Sequence, residues 1–444
     1  MGIRRWFRDI SKKRPEASRF IGQSSVFLFD RMVRMAVGLV LGALIARHLG
    51  VAGFGQMAFI VASVSFVQSL VTLGLDGIVV KRFVDSPTER GVVFGSAATM
   101  RLIAGALAWL LLMGFMWRST QAEEYLPLIS IYAMTLFVSA LDVGDLWFQA
   151  TQRAPLVVFA KLFVFGVFAI VRLTLVWYGA GISGFLVAMT FELLLAGACA
   201  WWLMLRKNKI GQSLTFSNTV AKDLLRSSWP LIISGAMVSV YMRFDQLLIA
   251  RILGTEQLGL YAAALRLSEV WQFLSMSLAA AAAPAIAKAR MESVDAFERR
   301  IVKLFRAVFL LGLGVAVFVS MAATPVMLLM FGPAFSKSAQ VLAVHIWHIP
   351  FMFLGSAVSL WMINQGMTKL FLLKAAIGAG FSLVLNITLL PLFGIMGAAV
   401  SAIVVQLCAN FLWHPLLPST RRLFQLQCSA CFGWPAFGSR KDAL

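Results

Sequence analysis

Apolar residues in this chain gather into runs of about 20, the length an α-helix needs to cross the hydrocarbon layer of a bilayer. Twelve such runs are readable, near 25–47, 54–75, 97–117, 125–147, 155–178, 181–204, 228–250, 257–285, 306–330, 339–363, 370–391 and 394–417. The polar stretches between them are short, and the longest, around 206–227 and 288–306, fall on the same side of the predicted membrane. The first of these lies near the middle of the chain and reads as a linker. The pattern predicts a basic arm at 1–24, a six-helix bundle at 25–205, a linker at 206–227, a second six-helix bundle at 228–417 and a cytoplasmic tail at 418–444. The fold class is an all-α polytopic membrane protein of about twelve transmembrane helices in two pseudo-symmetric halves. Met1 to Arg19 is basic and polar, and the first apolar run outlasts a signal-peptide core, so the first helix is expected to be retained.

Composition narrows the class. With 60% of positions hydrophobic and 13% charged, the chain is too apolar for a water-soluble surface, where charged residues average about 25%. A soluble enzyme is excluded. The charge balance, 39 Lys and Arg against 19 Asp and Glu for a net +20, would suggest nucleic acid on a soluble protein. Here its distribution matters more. The segments on the N-terminal side of the membrane carry 26 Lys and Arg, and those on the other side carry 4: Arg47, Arg118, Arg251 and Lys337. The positive-inside rule therefore places both termini in the cytoplasm, and the excess charge meets anionic lipid rather than nucleic acid. The opposite loops are short, with Glu123 and Glu124 on one of them, so no extracellular domain is expected.

A repeat runs through the spans. Ile45-Ala-Arg-His-Leu-Gly50, followed by Gly55 and Ala58, recurs as Ile249-Ala-Arg-Ile-Leu-Gly254, followed by Gly259 and Ala262, always 204 residues apart. Each copy closes the first span of its half and opens the second. With six spans per half the copies enter the membrane from the same side, the parallel kind of transporter repeat, whose two bundles are expected to enclose a central cleft. The glycines allow a tight turn, and Arg47 and Arg251 either reach phosphate headgroups or simply anchor the helix ends.

Ionisable residues inside the spans carry the candidate chemistry, because each costs roughly 2.5–3.5 kcal/mol at a helix centre unless paired, hydrated or functional. Arg172, Glu192, Arg243, Asp245, Arg266 and Glu269 lie well inside their spans, Asp30, Arg31 and Arg34 in the cytoplasmic part of the first, and Asp142 and Asp145 in that of the fourth. Together they imply a hydrated cavity. Arg31 and Arg34, three apart, form a doubly positive face suited to a diphosphate, since guanidinium forks grip phosphate oxygens bidentately and stay charged. The alternative is Arg31 neutralised by Asp30, with Arg34 reaching the interface. Arg172 and Arg243 offer a second anion station, or serve as counter-ions of Glu192 or Asp245. Arg243 and Asp245 project in opposite directions and should not pair, whereas Arg266 and Glu269 can meet on one face. His345 and His348 read either as a proton relay or metal pair, or as interfacial histidines beside Trp347; without a third ligand no metal is expected. Cys428 and Cys431 form a lone C-x-x-C with no second pair to complete a zinc site.

The residues from Ile45 to Gly55 and Leu73-Gly-Leu75, the run Asp145-Leu-Trp-Phe-Gln-Ala150, and in the second half Asp245, Gly254, Gly259-Leu-Tyr-Ala-Ala263 and Pro284 resemble the motifs of polysaccharide exporters in the multidrug/oligosaccharidyl-lipid/polysaccharide (MOP) superfamily. The likeness covers about residues 20 to 420. It implies an O-antigen-type flippase that moves an undecaprenyl-diphosphate-linked oligosaccharide between membrane leaflets by alternating access. The Arg, Asp and Glu residues above would then be its anion and coupling sites. It also implies a monomer without a cofactor, with membrane lipid, a polysaccharide polymerase and chain-length proteins as partners. A cation-coupled drug exporter of the same superfamily is the main alternative. An integral-membrane glycosyltransferase or polymerase is disfavoured by the lack of a sizeable periplasmic loop, and the lack of a P-loop speaks against ATP hydrolysis.

Overall fold

The computed structural model describes residues 15–118, 122–207, 214–367 and 369–434. Much of the basic arm (1–14), part of the linker (208–213) and the end of the tail (435–444) therefore lie outside the described residues. Among the described residues every regular element is helical, and eleven runs are long and apolar enough to cross a membrane. The first run contains two spans, because α1 (Pro15–Val71) turns sharply at Gly50, where φ is 69°. That makes twelve.

The second half repeats the device. Gly254, φ 88°, separates α9 (Asn218–Leu253) from α10 (Thr255–Glu269) at the position equivalent to Gly50. Only glycine takes such a φ without strain, so the glycine that ends each copy of the motif makes the turn. Between α1 and α9 run α2 (Asp76–Asp85), α3 (Arg90–Trp117), α4 (Ala122–Ala133), α5 (Val138–Leu141), α6 (Val143–Ala150), α7 (Ala154–Trp177) and α8 (Ile182–Lys207). After α10 come α11 (Gln272–Glu292), α12 (Val294–Phe331), α13 (Ser336–His345), α14 (Ile349–Asn364), α15 (Leu370–Phe393), α16 (Ile395–Leu407) and α17 (Pro418–Phe432).

Contacts divide the chain into two units. One joins the described residues up to Leu41 with Val67–Ile232; the other joins Gly42–Phe66 with the described residues from Ile233 onward. In the first unit α2 lies in the polar stretch between the apolar runs 54–75 and 97–117. It is helical because Val79 and Phe83, one turn apart, dock into a core with Phe94, Trp147 and Phe148. Next to it the fully buried Arg101 of α3 donates to the carbonyls of Ser139 and Thr72, each at 3.2 Å, and to the carboxylate of Asp76.

In the second unit the two repeat copies touch each other. A Cβ on Gly55 would lie 1.8 Å from the Thr255 carbonyl oxygen, and one on Gly259 would lie 2.1 Å from that of Val51. The relation is reciprocal, residue for residue at the repeat offset, as across a two-fold axis. These glycines serve close approach, while Gly50 and Gly254 make the turns. Arg47 donates to the carbonyls of Leu328 and Leu329 at the C-terminal end of α12, so it caps a helix. The part of the tail within the described residues is ordered as α17, held to α12 by Arg422 on Glu298 and by Arg306 on the carbonyls of Ser429 and Ala430. Large apolar side chains such as Leu111, Phe115, Phe163 and Met321 are exposed along the spans, as lipid-facing positions should be.

Candidate functional site

In the first unit the charges collect on one stripe of α7. Lys161, Phe165 and Arg172 project within about 40° of each other and span about 16 Å of helix axis. Lys161 pairs with Asp145 and lies 3.6 Å from Asp142. The guanidinium of Arg34 lies 5.1 Å from the Phe165 ring centre, and its Nε donates to Asp30 at 2.8 Å. Arg172 pairs with Glu192 of α8. The stripe is thus a ladder of cations, each beside an acid or a ring that stabilises it.

This revises the reading of Arg31 and Arg34 as one doubly positive face. Asp30 is four residues from Arg34, the spacing that favours an ion pair on a helix, so Arg34 is the arginine it takes. Arg31 is exposed. Lys161 was overlooked although it sits inside a predicted span. Its separation of eleven residues from Arg172, three turns and hence the same face, was the signal available. Arg101 and Lys374 were overlooked likewise. Arg101 is locked among carbonyls and Asp76 as described above, and the ammonium of Lys374 donates to the Gly355 carbonyl at 3.4 Å.

The second unit holds a separate pocket. Asp245, Glu269, His345, His348, Asn386 and Ser401 line a cavity of about 50 Å³, room for a few waters or a partly hydrated ion. Tyr261 donates to one oxygen of Asp245 at 2.6 Å, and the other accepts from the Gln246 amide at 2.8 Å. Arg243 reaches Glu269 at 3.5 Å, and its expected failure to pair with Asp245 agrees with their opposite projection. Arg266 lies over the Phe54 ring and against Gly42. The imidazoles of His345 and His348 are 4.4 Å apart and buried, with His345 Nδ1 at 2.9 Å from the Ser268 hydroxyl. A 3₁₀ turn at Ile346–His348 brings both rings inward, while Trp347 stays partly exposed.

Three of the spans around this pocket are irregular beside it. α10 and α11 are interrupted at Val270–Trp271, between Glu269 and Gln272. The 3₁₀ turn follows His345. A π-helical turn, Cys408–Leu412, begins two residues after Gln406. Broken membrane helices and π-turns survive where they line a polar site, because elsewhere their freed backbone groups would meet hydrocarbon. Asn386 Oδ1 and Ser401 Oγ are buried there with no hydrogen-bond partner among the described residues. The lining is accordingly rich in oxygen acceptors beside two carboxylates. Among the described residues no cluster of three His, Cys, Asp or Glu has the arrangement of a metal site.

Twelve apolar spans arranged as two halves with the same motif, with charges inside them, define a polytopic membrane protein with the fold of MOP-superfamily transporters. Comparison with solved structures agrees. The chain is similar to "Lipid II flippase MurJ, inward closed conformation" (TM-score 0.72, 14% identity, 92% of this chain and 90% of that one). It is also similar to an inward-facing multidrug resistance MATE family transporter (TM-score 0.63, 14% identity, 85% and 92%). A third is a MOP superfamily transporter from Pyrococcus furiosus, described as having a binding pocket of reverse polarity (TM-score 0.62, 16% identity, 88% and 94%). A search of curated protein sequences finds no match. The family model described as "Polysaccharide biosynthesis protein" matches residues 24–290, and the MatE model matches 230–408. The chain belongs to the polysaccharide biosynthesis protein family.

Proposed function

We propose that this protein is a flippase that carries a polyprenyl-diphosphate-linked oligosaccharide from the cytoplasmic to the periplasmic leaflet for surface polysaccharide synthesis. The observation that carries this reading is the cationic stripe of α7 with Arg34 beside it. A cargo with a diphosphate needs guanidinium and ammonium groups inside the membrane that can exchange a protein carboxylate for phosphate oxygens. Arg34, Lys161 and Arg172, each already beside a carboxylate, meet that requirement. Asp30, Asp145 and Glu192 keep these cations neutralised between cargoes, so the empty carrier avoids bare charge in the bilayer. The family assignment supports the same cargo class.

The pocket of the second unit serves energy coupling. Asp245 and Glu269 take up the driving cation, with Arg243 balancing Glu269. Both termini are cytoplasmic in this reading, which the distribution of Lys and Arg between loops supports, and the protein acts as a monomer in the inner membrane, without catalysis. Deleting the gene should accumulate a lipid-linked oligosaccharide on the cytoplasmic leaflet. Arg172→Gln combined with Lys161→Gln should reproduce that phenotype with normal insertion. Wild-type glycan export in the double variant would refute the anion role. The MatE match over 230–408 favours a second reading, cation-coupled drug export, which is the outcome if no lipid-linked intermediate accumulates and the deletion instead sensitises cells to cationic dyes. A reporter fused after Lys207 should read cytoplasmic and one after Gly332 periplasmic.

A further inference from the structure

We infer a binding site for an anionic glycerophospholipid in the groove between α11 and the first turns of α12. α11 reaches this point through the run Ala279–Ala283, Pro284 and Ala285, whose side chains are too small to fill the space beside α12. The result is an open groove on the surface of the two helices, of about 440 Å³. Its walls are Ala282, Ala285, Ile286 and Leu304, and its only charged lining residues are Arg300 and Lys303. An apolar floor ending in two cations matches a ligand with an acyl chain and one phosphate.

The two cations are placed to bind. Arg300 donates through Nη1 to the Ala285 carbonyl at 3.2 Å, which fixes the guanidinium at the lip and leaves most of its five N–H donors for a phosphate. Lys303 stands three residues further along the same face of α12. The neighbouring acids are engaged elsewhere: Glu298 with Arg422, and Glu292 within 4.0 Å of Lys288. Arg306 is likewise occupied by the carbonyls of Ser429 and Ala430. Asp295, on the first turn of α12, is the remaining carboxylate, five residues from Arg300. The groove also lies where the candidate spans Thr255–Glu292 and Val294–Phe331 adjoin, beside Lys288, Arg290 and Arg299, where a phospholipid of the facing leaflet would present its phosphate. Basic pockets between helices at this level select anionic headgroups.

The test uses the purified full-length protein in detergent, with binding read by native mass spectrometry against phosphatidylglycerol and phosphatidylcholine of identical chains. Phosphatidylglycerol should bind preferentially. Arg300→Gln with Lys303→Gln should weaken it about thirtyfold, the equivalent of two interfacial charges, and leave phosphatidylcholine unchanged. Ala282→Leu with Ala285→Leu fills the groove without altering charge and should weaken both lipids. Lipid-free melting temperature confirms that each variant folds. Equal binding of the two lipids by the wild type would overturn the site, as would full phosphatidylglycerol binding by the charge variant. Displacement by soluble glycerol phosphate at the affinity of the whole lipid would also overturn it, since the apolar floor would then contribute nothing. The outcome does not depend on the transported cargo or on which face is cytoplasmic, so it can fail while the flippase reading stands.

Discussion

The reciprocal contact of the two repeat copies sets a demanding stability prediction. Replacing Gly259 with Ala puts a methyl group 2.1 Å from the Val51 carbonyl oxygen and 3.1 Å from the Gly55 nitrogen. Replacing Gly55 puts one 1.8 Å from the Thr255 carbonyl oxygen and 2.8 Å from the Gly259 nitrogen. Ordinary contact begins near 3.4 Å, so either helix must withdraw by more than 1 Å, and the obstacle is backbone, which cannot rotate away. Overpacking of this kind costs about 1–3 kcal/mol, and rigid backbone on both sides places these variants toward the upper end. Both substitutions demand the same separation, so the double variant should lose less than the sum of the two. Gly38 is the control. A Cβ there meets nothing within 4 Å, and an alanine should be neutral or stabilise by about 0.4–1 kcal/mol. Thermal unfolding of the purified protein, followed by circular dichroism and by the folded fraction on size exclusion, measures all four. Wild-type melting of both Gly55→Ala and Gly259→Ala would refute the close approach.

Asp245→Asn should keep the Tyr261 hydrogen bond and the fold but make transport in proteoliposomes insensitive to a proton or sodium gradient; unchanged gradient dependence excludes Asp245 from coupling. Asp76→Ala should destabilise more than Arg101→Met, since it leaves a buried guanidinium charge with only the carbonyls of Ser139 and Thr72 and no carboxylate, and adding Arg101→Met to it should recover part of the loss; chemical denaturation gives the order. Gln427→Leu should lower the melting temperature although it adds apolar surface, because it removes partners from Asn410 and His414. Burial and the neighbouring Cys428 push the Cys431 thiol up to about 12, so Cys431 stays protonated well above the usual thiol range. The folded state then holds more protons than the unfolded one between pH 9 and about 12, and stability should fall as pH rises through that window. Alkylation at pH 9 should be slow at Cys431 until the protein is unfolded.

The spans, their number and the repeat were legible because a bilayer imposes a length, and glycines mark where the chain must turn. Pairing was legible only as alternatives. Glu192 of α8 was one of two acids open to Arg172 of α7, and sequence gives neither the rotation of one helix against the next nor their relative height, which make the choice. The same ignorance hid the choice of Asp245 for Tyr261 and of Glu269 for Arg243. For His345 and His348 the neighbouring Trp347 kept an interfacial reading open beside the paired one, and the local 3₁₀ turn decouples the direction of Trp347 from that of the two inward-facing rings. The break at Val270–Trp271 has neither glycine nor proline to announce it. Lys161, by contrast, was missed although its eleven-residue spacing from Arg172 puts the two on one face.

The irregular turn in the last span explains why the tail is helical. Asn410 Nδ2 donates to Gln406 Oε1 at 2.7 Å, and Gln406 lines the pocket. The backbone carbonyl of Asn410, inside the π-turn, accepts from Gln427 Nε2 at 2.9 Å, and Gln427 Oε1 lies 2.8 Å from His414 Nδ1. The His414 carbonyl in turn accepts from Thr420 at 2.7 Å. All of these groups are buried, where an unmet carbonyl or amide costs several kcal/mol in an apolar span. α17 supplies the partners that the π-turn and the span end would otherwise lack, while Arg422 and Arg306 fasten it to α12. The turn that shapes the pocket wall and the helix at the far end of the chain are therefore one polar structure. Gln406, in the pocket wall, and Gln427, in α17, thus meet at one residue, Asn410, the first on its side chain and the second on its backbone carbonyl.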